Sequence, residues 1–180
     1  MVTIKKNIII TGQPGIGKTT LIKKLSEELK IYNPIGFYTN EIRKNGIRKG
    51  FGLVTLDGGE GLLSYINIKS PYRVGKYRVD VSGFERFINL IPFLNSDSKL
   101  IIIDEIGKME CFSARFNRLI WEILNSENLL IATVALKGKG LIEKIKRRDD
   151  IILFEITHEN RDYLLEEILE KIKKYLSEKS

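Results

Sequence analysis

The sequence predicts a three-layer α/β sandwich, a mainly parallel sheet between two layers of helix with an antiparallel addition. Three observations carry the prediction. Short apolar runs alternate with stretches of helical periodicity along most of the chain. A glycine-rich turn joins the first apolar run to the first helical stretch. An Asn-Gly pair between two extended runs interrupts the alternation early and marks an antiparallel piece.

In order, residues 7–11 (Asn-Ile-Ile-Ile-Thr) read as a short buried strand, because the run is too short and too apolar for a half-exposed one. Leu21, Ile22, Leu25 and Leu29 then recur at helical spacing and lay one face of a helix on the sheet. Residues 36–43 and 47–55 flank Asn45-Gly46, whose two turn positions both need positive φ, so they read as a hairpin. A third strand over 62–68 follows the turn at Asp57-Gly58-Gly59, and the whole insert, about 35–68, is expected beside the sheet. Thr39, Glu41 and Arg43 share one of its faces, either to touch substrate or to coat a wet surface.

A further strand is expected over 76–81. Ser82 with Glu85 has the form of a capping box, opening a helix that carries Phe84, Phe87, Ile88 and Ile91 inward and stops near Pro92. Leu100–Ile103 is a buried parallel strand, and a helix over 112–124 packs Phe116, Ile120 and Trp121. Residues 129–134 form the next buried strand and residues 150–155 the last. The final helix turns Leu164, Leu165, Ile168, Leu169, Ile172 and Leu176 to the core.

Two stretches carry chemistry. Residues 12–20 fit G-x-x-x-x-G-K-[ST] through Gly12, Gly17, Lys18 and Thr19, with a strand before and a helix after. The glycines let successive backbone N–H groups turn inward on a phosphate, and the helix start adds its positive end. Gly12, Gln13, Pro14, Gly15, Ile16, Gly17, Lys18, Thr19 and Thr20 are therefore the candidate phosphate-binding residues, a Walker A loop. Lys18 is expected to reach the β- and γ-phosphates and Thr19 to ligate Mg²⁺. A chance glycine turn is the alternative, and it would rarely bring both flanks.

The second stretch is Asp104-Glu105, two acids at the C-terminal end of a buried strand, where open α/β sheets bind ligands. Asp104 is the candidate Mg²⁺ holder of a Walker B strand, and Glu105 the candidate general base for an attacking water. Without the loop upstream, both would read as acids in a strand-end turn. Glu110 is either a further acid of the site or a helix-start carboxylate. Thr133 ends its strand near the same rim, as a γ-phosphate sensor or a core threonine. Lys137, Lys139, Lys146, Arg147 and Arg148 are candidate transition-state cations, each otherwise a solvated charge. Asn160 and Arg161 follow the last strand, where a base or ribose could rest or the helix be capped. His158 reads as a loop residue and Cys111 as a small filler.

The totals narrow the class. One domain over 1–180 is the default at 180 residues. No run approaches the ~18–20 apolar residues of a membrane span, and Met1–Lys6 lacks a signal-peptide layout. A single cysteine leaves no internal disulfide, so a cytoplasmic protein is expected, and a monomer, since no long exposed apolar stretch asks for a partner. The net charge of +7 favours anionic nucleotides. Nucleic acid is not the expected partner, because the cations are spread rather than gathered in one tract.

The motifs in order, GQPGIGKTTL, GFYTNEIR, GFGLVTLDG, VGKYRVDVSGFE, IIDEIGKME, IKRRDD and ENRD, resemble the thermophilic nucleoside-triphosphatase family, whose animal member is called cancer-related nucleoside-triphosphatase. They span nearly the whole chain, and DEIGKME is the most distinctive. The resemblance implies a RecA-like P-loop NTPase fold, with a strand between the one that feeds the loop and the one that bears Asp104. It implies Mg²⁺-dependent hydrolysis of ATP, GTP and other nucleoside triphosphates to diphosphate and phosphate. It also implies that Ile103, Asp104, Glu105, Ile106, Gly107, Lys108, Met109 and Glu110 line the nucleotide site with the loop. Two other functions fit the residues less well. A nucleotide or small-molecule kinase would need an acceptor pocket and a basic lid, which the insert and residues 137–148 could supply. A nucleic-acid-stimulated ATPase would draw on the net charge.

Overall fold

A computed structural model describes residues 5–95 and 97–177. The leading segment at residues 1–4, read above for a signal layout, lies outside the described residues. Among the described residues the strands form one nine-stranded sheet. They are β1 (Asn7–Gly12), β2 (Ile35–Lys44), β3 (Ile47–Thr55), β4 (Glu60–Tyr65), β5 (Arg73–Val74), β6 (Tyr77–Val79), β7 (Leu100–Ile106), β8 (Leu129–Val134) and β9 (Ile151–Ile156), in the order β5-β6-β4-β3-β2-β7-β8-β1-β9. The five strands from β2 to β9 are mutually parallel, and the other four extend them antiparallel.

The helices are α1 (Lys18–Glu28), α2 (Val81–Asn89), α3 (Ala114–Asn125), α4 (Leu141–Lys146) and α5 (Leu164–Ser177). Strand alternation sorts them into two layers. Ile9, Ile101, Ile103, Leu130 and Ala132 face α2, α3 and α4, with Phe84, Phe87, Phe116 and Ile120 opposite. Ile8, Ile10, Leu100, Ile102 and Ile131 face α1 and α5, with Leu21, Ile22, Leu25, Ile168 and Ile172 opposite. This is why the runs at 8–10, 100–103 and 129–132 have no polar positions: both faces of β1, β7 and β8 are covered there. Each isoleucine so buried contributes about 1.5–3 kcal/mol of hydrophobic stabilisation.

The antiparallel strands do not lie beside the sheet as expected. β2 starts inside the parallel region, pairing Ile35, Gly36 and Phe37 with Ile101, Ile102 and Ile103, and then runs on past the rim as the first arm of the hairpin. One long strand therefore belongs to both regions and carries the insert in plane. The hairpin turn is as read, with Asn45 and Gly46 at φ 52° and 75°. The capping box is not. Helix α2 begins at Val81, and Asp80 is its N-cap, accepting from the Gly83 N–H at 2.9 Å. Ser82 lies inside the first turn and donates to Asp80, and Glu85 accepts from Ser113 at 2.7 Å, tying α2 to the start of α3.

The topology locates the functional rim. The chain leaves β1 over α1 towards β2, and returns from β7 to β8 to β9 over α3 and α4 on the opposite face. The connections diverge between β1 and β8, which opens a crevice at the C-terminal ends of those strands. β8 also stands between β1 and β7, where the resemblance asked for a strand. Among the described residues no helix is long and apolar enough to cross a membrane.

Candidate active site at the strand ends

The loop between β1 and α1 hugs the crevice. Gly17 caps α1 at φ 111°, a backbone state that costs a side-chain-bearing residue dearly, and brings no side chain of its own to the helix start. The first N–H groups of α1 and its positive end therefore face the loop. Gln13, Pro14, Gly15 and Thr20 are exposed, whereas Ile16 is buried in the layer of α1 and α5 and anchors the loop to the core. Lys18 is buried and folds back, its Nζ donating to Gly12 O at 3.1 Å and Gln13 O at 3.2 Å. The ammonium is thus stationed inside the ring of backbone that the sequence assigns to phosphate.

Asp104 meets the loop across the crevice. It is fully buried, and three threonine hydroxyls from three elements converge on it. Thr19, on α1, donates to Oδ2 at 2.7 Å, Thr39, on β2, to the same oxygen at 3.2 Å, and Thr133, on β8, to Oδ1 at 2.5 Å. The β2–β7 register explains Thr39: Phe37 pairs with Ile103, so Thr39 stands two residues further along, level with the acids. Each hydroxyl offsets part of the cost of burying a carboxylate. Thr39 and Thr133, read above as rim or core residues, both donate their hydroxyls to Asp104.

Glu105 follows through a cis peptide bond and is half-buried. Burial pushes its carboxyl above the usual range, opposed by the charge of Lys18 and reinforced by that of Asp104. Its neighbours diverge. Ile103 and Ile106 are fully buried in the α2–α3 layer, Met109 packs on that layer, and Lys108 is exposed. Glu110 is buried and accepts from the Gly107 N–H. Burial, with Glu105 next in weight, raises its pKa to about 8. Cys111 is pushed up to about 12, again by burial, and is a closed thiol suited to filling space.

The remaining candidates are scattered. The Asn160 side chain staples its own loop, accepting from the Thr157 N–H at 2.8 Å and donating to Glu155 O at 2.7 Å. Arg161 is half-exposed, with a long contact of 3.8 Å to Asp162. Lys146 donates to Ala135 O and Leu136 O at 2.7 and 2.8 Å, holding α4 to the end of β8. Arg148 lies at the N-terminal end of β9, the opposite end of the strands from the loop. It pairs with Asp150 at the start of β9 and stacks 5.4 Å over Trp121, so it is not on the rim with the loop. A cavity of about 500 Å³ opens between residues 88–95 and α3, but no site residue lines it.

Known proteins resemble this chain in sequence and in fold. The NTPase family matches residues 7–169. The chain belongs to that family. It is 47% identical over 167 residues to "Nucleoside-triphosphatase THEP1" of Thermotoga sp. (strain RQ2), covering 92% of this chain and 95% of that protein. It is 41% identical to the Homo sapiens "Cancer-related nucleoside-triphosphatase", covering 91% and 95%. The crystal structure of THEP1 from the hyperthermophile Aquifex aeolicus superposes with a TM-score of 0.84 at 39% identity, over 92% of this chain and 98% of that one. The family membership agrees with the mixed, mainly parallel sheet of this NTPase.

Proposed function

We propose that this chain is a Mg²⁺-dependent nucleoside-triphosphatase, cleaving ATP, GTP and other nucleoside triphosphates to diphosphate and phosphate with water as the acceptor. The observation that carries the reading is the 2.7 Å contact of Thr19 with Asp104. It joins the glycine loop to the acid strand through the two groups expected to hold the metal. A hydroxyl and a carboxylate are hard oxygen donors. With phosphate oxygens and waters they suit Mg²⁺, which needs few protein ligands. When bound, the ion would neutralise charge on the β- and γ-phosphates.

The chain's own groups supply the rest. Lys18 and the N–H groups of the loop and of the start of α1, Pro14 having none, receive the phosphates and stabilise charge that develops on them. Glu105 accepts the proton of the attacking water. Its raised basicity brings it nearer to working pH, where a general base is most effective. The relatives' names favour triphosphate cleavage, and a catalytic carboxylate beside Asp104 favours water over another acceptor. The whole sheet serves one domain, and Arg161, half-exposed beyond β9, is the residue on the last loop best able to meet a base or ribose. A monomer in the cytoplasm is the simplest setting for it.

The test is phosphate release from ATP, GTP, CTP and UTP with Mg²⁺ and no added acceptor. Wild type should release phosphate from several of them. Glu105→Gln should bind nucleotide normally but turn over about 10²-fold or more slowly, the usual contribution of a positioned general base. Tight binding with negligible release would favour a kinase and overturn the proposal.

A further inference from the structure

The geometry points to Glu110 as a positioning residue for hydrolysis: its buried carboxyl clamps the turn at Gly107 and thereby aims Glu105. This rests on the reading of Glu105 as the base, and the experiment separates the two.

Gly107 is held from both sides. Its N–H donates to Glu110 Oε2 at 3.1 Å, and its carbonyl accepts from the Cys111 N–H at 3.1 Å. A Cβ at position 107 would lie 2.9 Å from Glu110 Oε2 and 3.2 Å from Glu105 Oε1. The two carboxyls thus converge on one bare glycine, and the backbone between them is what Glu110 grips. Glu110 itself cannot drift. It is 4% exposed and begins the short 3-10 turn Glu110–Phe112. Its carbonyl accepts from the Ser113 N–H at 3.0 Å. Ser113 in turn caps α3 through Phe116 at 2.9 Å and donates to Glu85 on α2 at 2.7 Å. The path from two packed helices through Glu110 to the residue after Ile106 is therefore continuous. An acid placed only to open a helix would sit in water, where its charge costs nothing.

The contact needs an acceptor oxygen and not a charge, so the variants have opposite outcomes. Glu110→Ala should lower kcat about 10²-fold with KM and nucleotide affinity unchanged, the scale expected when a reacting group is misplaced by about 1 Å. Glu110→Gln keeps the acceptor and should restore kcat to within about threefold of wild type. In a Glu105→Gln background, Glu110→Ala should cost nothing further, since a residue that acts through another loses its effect when that other is gone. Gly107→Ala, which drives a methyl between the carboxyls, should behave like Glu110→Ala and serves if that variant does not fold. An additive loss in the Glu105→Gln background, or a loss confined to KM, overturns the inference while leaving the hydrolase reading intact. If Glu105→Gln itself keeps full turnover, it is the base assignment that fails.

Discussion

Replacing Glu110 by glutamine should stabilise the protein at alkaline pH and leave it almost unchanged at pH 5. The carboxyl lies in a dry site, and burial raises its pKa from 4.5 to about 8. Between those values the folded state holds a proton that the unfolded state releases. Rising pH therefore favours unfolding, by about 1.4 kcal/mol per pH unit. The stability tied to this proton is fully present below pH 4.5 and lost as pH rises through about 8. Glutamine has the same shape, keeps an oxygen for the Gly107 N–H and does not titrate. From pH 5 to pH 8 it should gain about 3 kcal/mol over wild type. Urea unfolding at the two pH values, without Mg²⁺ or nucleotide and followed by circular dichroism and Trp121 fluorescence, measures the gain. An equal difference between the proteins at both pH values would refute the reasoning, because Glu110 would then be ionised in the folded state.

Thr133→Val keeps the shape of β8 but removes the donor to Asp104 Oδ1, and should cost about 1–3 kcal/mol of stability in urea, the penalty of leaving a buried acceptor short of a partner. Arg148→Ala removes a partly buried pair with Asp150 and the stack on Trp121, and should lower stability by about 1–2 kcal/mol without altering kcat, since it sits at the end of the strands opposite the loop. A fall in turnover at unchanged fold would bring Arg148 back among the candidate cations.

The fold class could be read from the sequence because its signals are local. The apolar runs of β1, β7 and β8, the glycines of the loop and the Asn-Gly turn each act within a few residues. The in-plane insert was hidden because β2 changes from parallel to antiparallel partners along its length, and pairing to Ile101–Ile103 is a contact about 65 residues away. Ser82 and Glu85 matched a capping pattern, yet Asp80 offered a better acceptor two residues earlier and won the helix start. At the site, loop and acid pair were visible as motifs. The hydroxyls of Thr39 and Thr133 were visible only as residues on the right rim, since their common partner is set by strand order. Glu110 was the least predictable. An acid near a helix start usually stays wet, whereas tertiary packing buries this one.

Turnover of ATP in ¹⁸O-labelled water tests the central claim most directly. If Glu105 directs water onto the γ-phosphorus, wild type should place one label in the released phosphate and none in the diphosphate, and Glu105→Gln should slow that incorporation about 10²-fold or more. Label in the diphosphate, or phosphate released at an equal rate by both proteins, would contradict the account.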